Sequence, residues 1–385
     1  MTIMARIIFF AIFFGVLGLI SFYVFIRGLQ SIPQDSSLRG AYIIAFWTIA
    51  LSFMGGRLLE SIWPSILSDL LVWMGSFWLA ALLYFLLAVV ALDFLRLVNH
   101  FLPIFPVAIA DHYAQAKYIA SASVIGIVSL LVLAGHINSL MPRLTTLNLS
   151  IAKKARGPKS LNIVAASDVH LGTIVGRSRV DHIVARINDL NPDLVLLPGD
   201  ILDEDVARAM KQNIGEALRN IKARYGVYAV TGNHEYIGGV EEACAYLIEH
   251  NVVMLRDSVI KVGDSFYLVG REDRSKNWRG ESRRKDLSEI MASVDKNFPV
   301  ILMDHQPFGL EEGASNGADL QLSGHTHDGQ LWPVSYIVHA IYELAMGYKL
   351  IGRTHVYVSN GVGTWGPPVR IGNRPEILQI RLNFE

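Results

Sequence analysis

Charged side chains are scarce in the first 150 residues of this 385-residue chain, where only 12 positions carry Lys, Arg, Asp or Glu. Soluble globular domains carry about 25% charged residues, so the composition excludes an ordinary soluble fold for this part. The remaining 235 residues contain 56 charged residues, which is typical of a soluble domain. The chain therefore combines a membrane-like part with a soluble part.

Cysteine and an excess of basic charge are also missing. Cys244 is the single cysteine, which excludes an intramolecular disulfide and a cysteine-rich zinc site. The 34 Lys and Arg residues are balanced by 34 Asp and Glu residues. Since nucleic-acid-binding domains need a basic surface, we expect no nucleic-acid partner.

Four apolar runs in the first part are about as long as the ~20 helical residues that cross a bilayer. They lie near Ile7–Ile26, Gly40–Leu59, Leu70–Leu92 and Tyr118–His136. The first run is too long for the apolar region of a signal peptide and lacks a small-residue cleavage pattern. We predict a four-helix transmembrane domain at residues 1–140, a linker at 141–160 and a soluble domain at 161–385.

The distribution of basic residues predicts the orientation of these spans. An even number of spans places both flanking segments on one side of the membrane. That side carries Arg6, Arg57, Arg143, Lys153, Lys154, Arg156 and Lys159, and the other carries Arg27, Arg39, Arg96 and Lys117. The positive-inside rule then predicts a multi-pass protein of the inner or cell membrane with a cytoplasmic soluble domain.

Ionisable residues near membrane spans can mark a transport path. Here they are Arg57, Glu60, Asp69, Asp93 and Arg96. Each lies near the end of a span, where pairing or contact with the interface explains it. No sequence repeat relates the spans in pairs. A four-helix transport or signalling module, regulated by the soluble domain, stays open as an alternative function.

The hydrophobic pattern changes from Leu161 onward, where short runs of Val, Ile and Leu alternate with helical stretches. The predicted strands are Leu161–Ala166, Leu194–Leu197, Gly226–Val230, Phe266–Val269, Val300–Met303, Asp319–Leu322, His355–Val358 and Ile377–Leu382. The predicted helices are Val180–Leu190, Val206–Ala223 and Val240–His250. This alternation predicts an α/β sandwich, with ligands bound at the carboxyl ends of its strands.

Polar side chains follow five of the predicted strands directly. The five blocks are Asp168-Val169-His170, Pro198-Gly199-Asp200, Gly232-Asn233-His234-Glu235, Asp304-His305-Gln306-Pro307 and Gly324-His325-Thr326-His327. Carboxylates, imidazoles and an amide suit divalent metals of intermediate softness. The neighbouring glycines let the backbone bend tightly and bring these side chains close. The blocks together predict a metal site.

The motifs SDVHLG, GDILDED, GNHE, MDHQP and GHTHDGQ, in this order, resemble those of the calcineurin-like metallophosphoesterases. The resemblance covers about Leu161–Glu385. The later stretch SNGVGTWGPPVRIGNRPEI is similar to a branch of transmembrane proteins with a metallophosphoesterase domain. One departure is Asp328, where the branch usually has glycine, and we expect its side chain to face solvent. The resemblance implies a four-layer α/β sandwich of two mixed sheets with a two-metal site.

The resemblance also implies roles for individual residues. One divalent ion is held by Asp168, His170, Asp200 and His327, and the second by Asp200, Asn233, His305 and His325. Asp200 bridges the two ions because one carboxylate has two oxygens. His234 matches the catalytic histidine, which stabilises phosphoryl charge or protonates the leaving oxygen. Mn²⁺ suits this oxygen- and nitrogen-rich site, and iron and zinc fit the same ligands.

Five further residues match positions near this site. Asp203, Glu235 and Gln330 are expected to support the metal ligands, with ordinary surface or capping roles as the alternative. Arg370 and Arg374 are candidates to bind a substrate phosphate, and the alternative is pairing within the fold.

Basic residues are frequent in the segment Gly270–Asp286. It contains Arg271, Arg274, Lys276, Arg279, Arg283, Arg284 and Lys285, partly offset by four acids. The alternatives are a loop that attracts anionic headgroups or substrate phosphates and an ordinary solvated loop.

The sequence thus predicts a membrane-anchored, dinuclear-metal phosphoesterase acting on phosphodiester or pyrophosphate bonds. The segment Trp332–Leu350 is rich in Trp, Tyr, Ile, Leu and Met, as in segments that lie against membrane lipids; packing on its own sheet is the alternative. Members of the family hydrolyse UDP-diacylglucosamine, so the resemblance extends to a lipid-linked phosphate substrate of that type. Phosphoproteins and cyclic nucleotides stay open as alternative substrates, since fold does not fix substrate.

Overall fold

The computed structural model describes residues 3–278 and 283–385. The chain divides into two compact units. The first unit contains residues 1–136 and 367–369, and the second contains 137–366 and 370–385.

The first unit is helical. Its helices are α1 (Ile3–Ser31), α2 (Leu38–Ile62), α3 (Ile66–Phe101), α4 (Val107–Asp111) and α5 (Tyr113–Ser139). Within the described residues, α2, α3, α5 and the segment Phe14–Ser31 of α1 are long and apolar enough to cross a membrane. The four predicted apolar helices are therefore confirmed.

Aromatic packing and close helix contacts hold the first unit together. Phe25 of α1 stacks on Tyr42 of α2 with ring centroids 5.6 Å apart. Helices α2 and α3 approach so closely that a side chain at Gly75 would collide with the backbone of Phe53. Charges near the helix ends are paired, as expected: Arg57 lies 3.2 Å from the buried Glu60.

The second unit consists of strands and shorter helices. Its strands are β1 (Arg143–Ile151), β2 (Ser160–Ala165), β3 (Leu194–Pro198), β4 (Val227–Val230), β5 (Val253–Met254), β6 (Ser258–Val262), β7 (Phe266–Gly270), β8 (Val300–Met303), β9 (Leu320–Ser323), β10 (Gly347–Ile351), β11 (Thr354–Val358) and β12 (Glu376–Phe384). Its helices are α6 (Arg177–Asp189), α7 (Val206–Lys211), α8 (Asn233–Gly238), α9 (Val240–Glu249), α10 (Leu287–Met291), α11 (Leu310–Asn316) and α12 (Val334–Ile341). Three 3₁₀ turns lie at Ile214–Asn220, Arg274–Trp278 and His327–Gly329.

Two six-stranded mixed sheets form the core of this unit. Their strand orders are β1-β12-β2-β3-β4-β5 and β10-β11-β9-β8-β7-β6. Strands β2 to β5 run parallel in the first sheet, and β11, β9, β8 and β7 run parallel in the second. One apolar cluster includes Ile163 and Leu196 of the first sheet and Leu268 and Ile301 of the second. The two sheets therefore pack face to face, which confirms the predicted α/β sandwich of two mixed sheets.

All eight predicted strands are present, and the differences lie at the edges. Strand β1 occupies part of the segment 141–160, which is predicted from the sequence to be a linker. Its alternation of polar and apolar residues is typical of an edge strand exposed on one face. The predicted helix Val206–Ala223 is broken after Lys211, because Asn213 adopts a left-handed backbone with φ of 46°.

Candidate metal centre

The five polar blocks meet at the carboxyl ends of parallel strands from both sheets. The structure brings six of the seven predicted ligands into two groups, within each of which the potential ligand atoms lie within 4.8 Å of one another. The groups are Asp168, His170 and His327, and Asp200, His305 and His325. The seventh, Asn233, begins helix α8 directly after β4. Each group offers the donor types that hold a divalent ion.

The backbone at these residues is unusual. Five of the seven predicted ligands adopt positive φ, although none is glycine: Asp168, His170, Asp200, His325 and His327. Such conformations are uncommon for non-glycine residues. They persist where the surrounding structure enforces them, and they cluster at functional sites.

Glycines allow the ligand loops to approach each other. A side chain at Gly232 would collide with the carboxylate of Asp200, and one at Gly324 would collide with the carboxylate of Asp168. Both positions therefore exclude every other amino acid without rearrangement.

The first group has lone pairs that face its interior. Asp168 Oδ1 accepts a hydrogen bond from the backbone N–H of His325 at 2.9 Å, while its buried Oδ2 has no partner. His170 Nε2 lies 3.0 Å from His327 Nε2, and His170 Nδ1 lies 3.9 Å from Asp203 Oδ1. Burial lowers the pKa of His170 to about 3 and so keeps its imidazole neutral, the form that binds metal.

The second group is organised around Asp200. His305 Nδ1 donates to the backbone carbonyl of Pro198 at 2.8 Å, and its Nε2 lies 3.0 Å from Asp200 Oδ2. Burial would raise the pKa of Asp200, but His305 outweighs this effect and holds it well below its usual value. Conversely, the charge of Asp200 overcomes burial and raises the pKa of His305. A cation can take the place of the proton that these two groups share.

Buried polar atoms without a hydrogen-bond partner indicate whether the site suits a metal ion. Two buried oxygen atoms of predicted ligands lack a hydrogen-bond partner: Asp168 Oδ2 and Asn233 Oδ1. Leaving such atoms unsatisfied costs about 1–3 kcal/mol each. Divalent cations would satisfy them and offset the buried carboxylate charge, so the donor set fits metal ions.

His234 lies beside both groups. Its backbone N–H donates to Asp200 Oδ1 at 2.8 Å, and its Nδ1 lies 3.1 Å from Asp203 Oδ1. Burial opposes protonation of the ring, but the charges of Asp200 and Asp203 prevail and raise its pKa to about 9. Bound cations would lower this pKa, because like charges disfavour protonation. The structure thus places Asp203 where it orients and charges His234.

Glu235 joins two ligand loops. Its Oε1 accepts the backbone N–H groups of Ile201 and Leu202 at 2.7 and 2.8 Å. Its Oε2 accepts those of Asp200 and Gly232 at 3.1 and 2.7 Å. One fully buried carboxylate therefore holds the loop after β3 against the loop after β4.

Gln330 binds the backbone of Trp365, a residue for which the sequence predicts no role. Its side chain accepts from the backbone N–H of Trp365 at 3.0 Å and donates to the Trp365 carbonyl at 2.8 Å. The half-exposed ring of Trp365 lies edge-on to His234, with centroids 6.2 Å apart. The sequence signal that could have identified Trp365 was its position within the stretch SNGVGTWGPP.

The two predicted phosphate-binding arginines lie in different surroundings. Arg370 is buried and donates to Nδ1 of His327 at 2.9 Å, to the His327 carbonyl and to the carbonyl of Gly363. It therefore pairs within the fold. These contacts fix the position of His327, whose Nε2 faces His170. Arg374 is exposed, and its Nε donates to Asn138 at 3.0 Å.

Asp328 does not face solvent, so that expectation is wrong. Its side chain is buried and accepts a hydrogen bond from His339 Nε2 of helix α12 at 2.7 Å. The 3₁₀ turn His327–Gly329 places the Asp328 side chain in a buried position, where His339 supplies its hydrogen-bond partner.

The basic segment Gly270–Asp286 is mostly engaged within the fold. Arg271 and Arg284 are buried and bind Asp304 at 3.3 and 3.0 Å. Lys276 pairs with Glu272 at 3.5 Å. Arg283 and Lys285 are exposed, and Arg279 lies outside the described residues. The contacts favour a structural loop over an anion-attracting one.

Comparisons with known proteins agree with this geometry. Residues 161–329 match the family model described as calcineurin-like phosphoesterase. A transmembrane protein with metallophosphoesterase domain from Danio rerio is 33% identical over 268 residues, which cover 66% of this chain and 61% of that protein. An uncharacterized metallophosphoesterase of Helicobacter pylori strain J99 is 34% identical over 226 residues, covering 58% of this chain and 60% of that protein.

A third relative is matched over nearly its whole length. An uncharacterized metallophosphoesterase of Aquifex aeolicus is 30% identical over 249 residues, which cover 64% of this chain and 94% of that protein. By contrast, this chain spans only about three fifths of the Danio rerio and Helicobacter pylori relatives. Together with the four candidate spans, these similarities identify the chain as a membrane protein that belongs to the calcineurin-like metallophosphoesterase family.

Proposed function

We propose that this protein is a membrane-anchored phosphoesterase that uses two divalent metal ions to hydrolyse phosphodiester or pyrophosphate bonds of a lipid-linked substrate. The observation that carries the proposal is the grouping of six of the seven predicted ligands, together with the unpartnered buried oxygens of Asp168 and Asn233. Asp168, His170, Asp200 and His327 would hold one ion, and Asp200, Asn233, His305 and His325 the other. We favour Mn²⁺ for this donor set, with iron and zinc as alternatives.

The remaining residues of the site orient the reaction. When bound, the two ions supply positive charge that activates water and stabilises the phosphoryl group. His234 is held by Asp203 through Nδ1, which leaves Nε2 to donate to a phosphoryl or leaving-group oxygen. Trp365 forms a half-exposed wall beside His234 and restricts how a substrate enters.

Substitutions at Asp200 and His234 test the catalytic proposal. The full chain, purified in detergent, is assayed on bis-p-nitrophenyl phosphate and p-nitrophenyl phosphate with each metal, and its metal content is measured by mass spectrometry. Asp200→Asn should lower the metal content and abolish activity, while His234→Ala should retain both ions and lose most turnover. Asp264→Asn and His182→Ala are matched exposed controls. Full activity of His234→Ala, or wild-type protein without metal affinity, would refute the assignment.

Helix α12 and the strand after it support a substrate at the membrane surface. No residue of α12 is buried, and Trp332, Tyr336, Ile337 and Ile341 expose about half or more of their surface. Helix α12 therefore leaves its apolar side chains exposed, whereas the end of the segment pairs with β11 as strand β10. Asp328, next to the ligand His327, bonds to His339 of this helix. Apolar residues on such a helix can insert into the headgroup region.

The length of the connection between the spans and the sheets adds a second argument. Only residues 140–142 separate α5 from β1, and three extended residues reach about 10 Å. The soluble unit therefore begins close to the bilayer. A nucleotide–lipid pyrophosphate is an example of a substrate that could be reached there.

Kinetics on two kinds of substrate test the lipid-linked proposal. Trp332→Ser, Tyr336→Ser and Ile337→Ser should lower the rate on a pyrophosphate lipid in mixed micelles and leave the rate on bis-p-nitrophenyl phosphate unchanged. Ile248→Ser is the control, because Ile248 is 58% exposed on α9 and Ile337 is 61% exposed on α12. Equal losses on both substrates would refute surface docking. Activity confined to phosphoproteins or cyclic nucleotides would refute the substrate class.

We also propose that the soluble unit faces the cytoplasm, as the distribution of basic residues indicates. A reporter active only in the cytoplasm, fused after Glu385, should give signal, and one that requires export should not. The opposite result would reverse the orientation.

A further inference from the structure

A large cavity lies within the first unit, among helices α1, α2, α3 and α5. Its volume is about 1150 Å³, whereas small-molecule pockets usually measure about 300–1,000 Å³. Most of its wall is apolar or aromatic and includes Phe46, Trp78 and Phe85. The cavity is therefore suited to a long, largely apolar molecule.

One end of this cavity is strongly basic. Four of the six Lys and Arg residues between positions 1 and 136 line it: Arg27, Arg39, Arg96 and Lys117. They are the four basic residues that the predicted topology assigns to one side of the membrane. They come together because the end of α1, the start of α2, the end of α3 and the start of α5 meet there.

Only part of this positive charge is neutralised. Asp93 is the one carboxylate among the described lining residues, and it pairs with Arg27 at 2.6 Å and Arg96 at 3.0 Å. Arg39 donates to the carbonyls of Leu29 and Ile32, and Lys117 donates to that of Gln30. Within the described residues, Arg39 and Lys117 have no carboxylate within 4.0 Å. Among the lining residues, four cations and one anion leave a formal charge of +3, and Asp35 and Asp111 lie next to the lining segments in sequence.

The depth of the cavity matches one leaflet of a bilayer. Its lining extends from Leu38 to Ile49 on α2 and from Tyr113 to Ile125 on α5. At 1.5 Å per residue, these segments are roughly 16–18 Å long. Half of the hydrocarbon core measures about 15 Å. An acyl chain entering from the basic end would therefore lie along the apolar wall.

We infer that this cavity binds a lipid with a phosphate headgroup, with the phosphate at Arg39 and Lys117 and the acyl chains against the aromatic wall. The site is separate from the metal centre and does not depend on the proposed hydrolysis. The four long helices would then bind a lipid in addition to anchoring the protein.

Lipid binding to the full chain tests this inference. The protein in detergent with EDTA, which prevents hydrolysis in the second unit, is titrated with dioleoyl phosphatidic acid and followed by native mass spectrometry. The double variant Arg39→Gln/Lys117→Gln should bind about 30-fold more weakly, which corresponds to about 2 kcal/mol. Lys154→Gln, an exposed cation of the second unit, should bind like wild type. Ala122→Phe, which fills part of the cavity, should also weaken binding.

Two further ligands distinguish the contribution of the acyl chains to binding from that of the phosphate. Dioleoylglycerol lacks the phosphate and glycerol 3-phosphate lacks the chains, so each should bind far more weakly than phosphatidic acid. Equal binding of dioleoylglycerol would overturn the role of the cations, and equal binding of glycerol 3-phosphate would overturn the lipid. Unchanged binding by both the double variant and Ala122→Phe would overturn the cavity as the site. A thermal unfolding curve is measured for each variant, and a variant that does not fold is recognised by the absence of a transition.

Discussion

Replacing Glu235 with glutamine should separate the two ligand loops that this side chain joins. The carboxylate accepts four backbone N–H groups, two on each oxygen. Glutamine keeps one oxygen and turns an NH₂ group toward the other two donors. Each buried N–H left without an acceptor costs about 1–3 kcal/mol, so Glu235→Gln should destabilise the second unit by about 2–6 kcal/mol. For a unit of this size, each kcal/mol lowers the melting temperature by about 2–4 °C.

The assay has a global and a local part. Thermal unfolding of the full chain is measured at pH 8 with Mn²⁺, because burial and Asp200 raise the pKa of Glu235 to about 7. Hydrogen exchange then reports the amides of Ile201, Leu202 and Gly232, which should lose protection first. Glu249→Gln, at an exposed position of α9, is the control. Equal unfolding temperatures and equal protection in the two variants would show that the four hydrogen bonds do not hold the loops.

Three further outcomes are expected. Gly232→Ala should lose metal and activity because its methyl group collides with Asp200, whereas Gly176→Ala should not, since no atom lies within 4 Å there; similar behaviour of the two would contradict the close approach. Arg370→Gln should weaken metal binding about 10–100-fold by releasing His327, and unaltered affinity in calorimetric titration would argue against a positioning role. Mn²⁺ at 100 times its dissociation constant should stabilise the apo protein by about 2.7 kcal/mol for each ion bound, and an unfolding curve insensitive to EDTA would contradict a metal site.

The grouping of these polar side chains could be predicted because each block follows its own strand directly. The signal for Asp168 or His305 lies within a few residues of sequence. The partner of Asp328 could not be predicted, because His339 becomes its neighbour only when helix α12 folds over the turn. Arg370 was equally ambiguous, since most of its acceptors are backbone carbonyls, which leave no trace in the sequence.

The same distinction applies to the strands. Strands β2, β3 and β4 are apolar on both faces and could be recognised from composition alone. Strand β1 alternates polar and apolar residues, and its pairing partner β12 lies more than 200 residues away. Its identity as a strand depends on that distant partner and not on its own residues.

The pairing of β1 with β12 also sets an order of events during synthesis. Strand β12 lies between β1 and β2, with Arg143 opposite Glu376 and Ile151 opposite Phe384. The first sheet therefore cannot be completed until the ribosome has made residue 384. At about 5–20 residues per second, β1 waits roughly 12–50 s after its own synthesis. During that interval the spans are already available to the membrane, while the edge strand next to them has no partner. Correct folding of the protein thus requires that β1 does not pair with other chains until the final strand has been made.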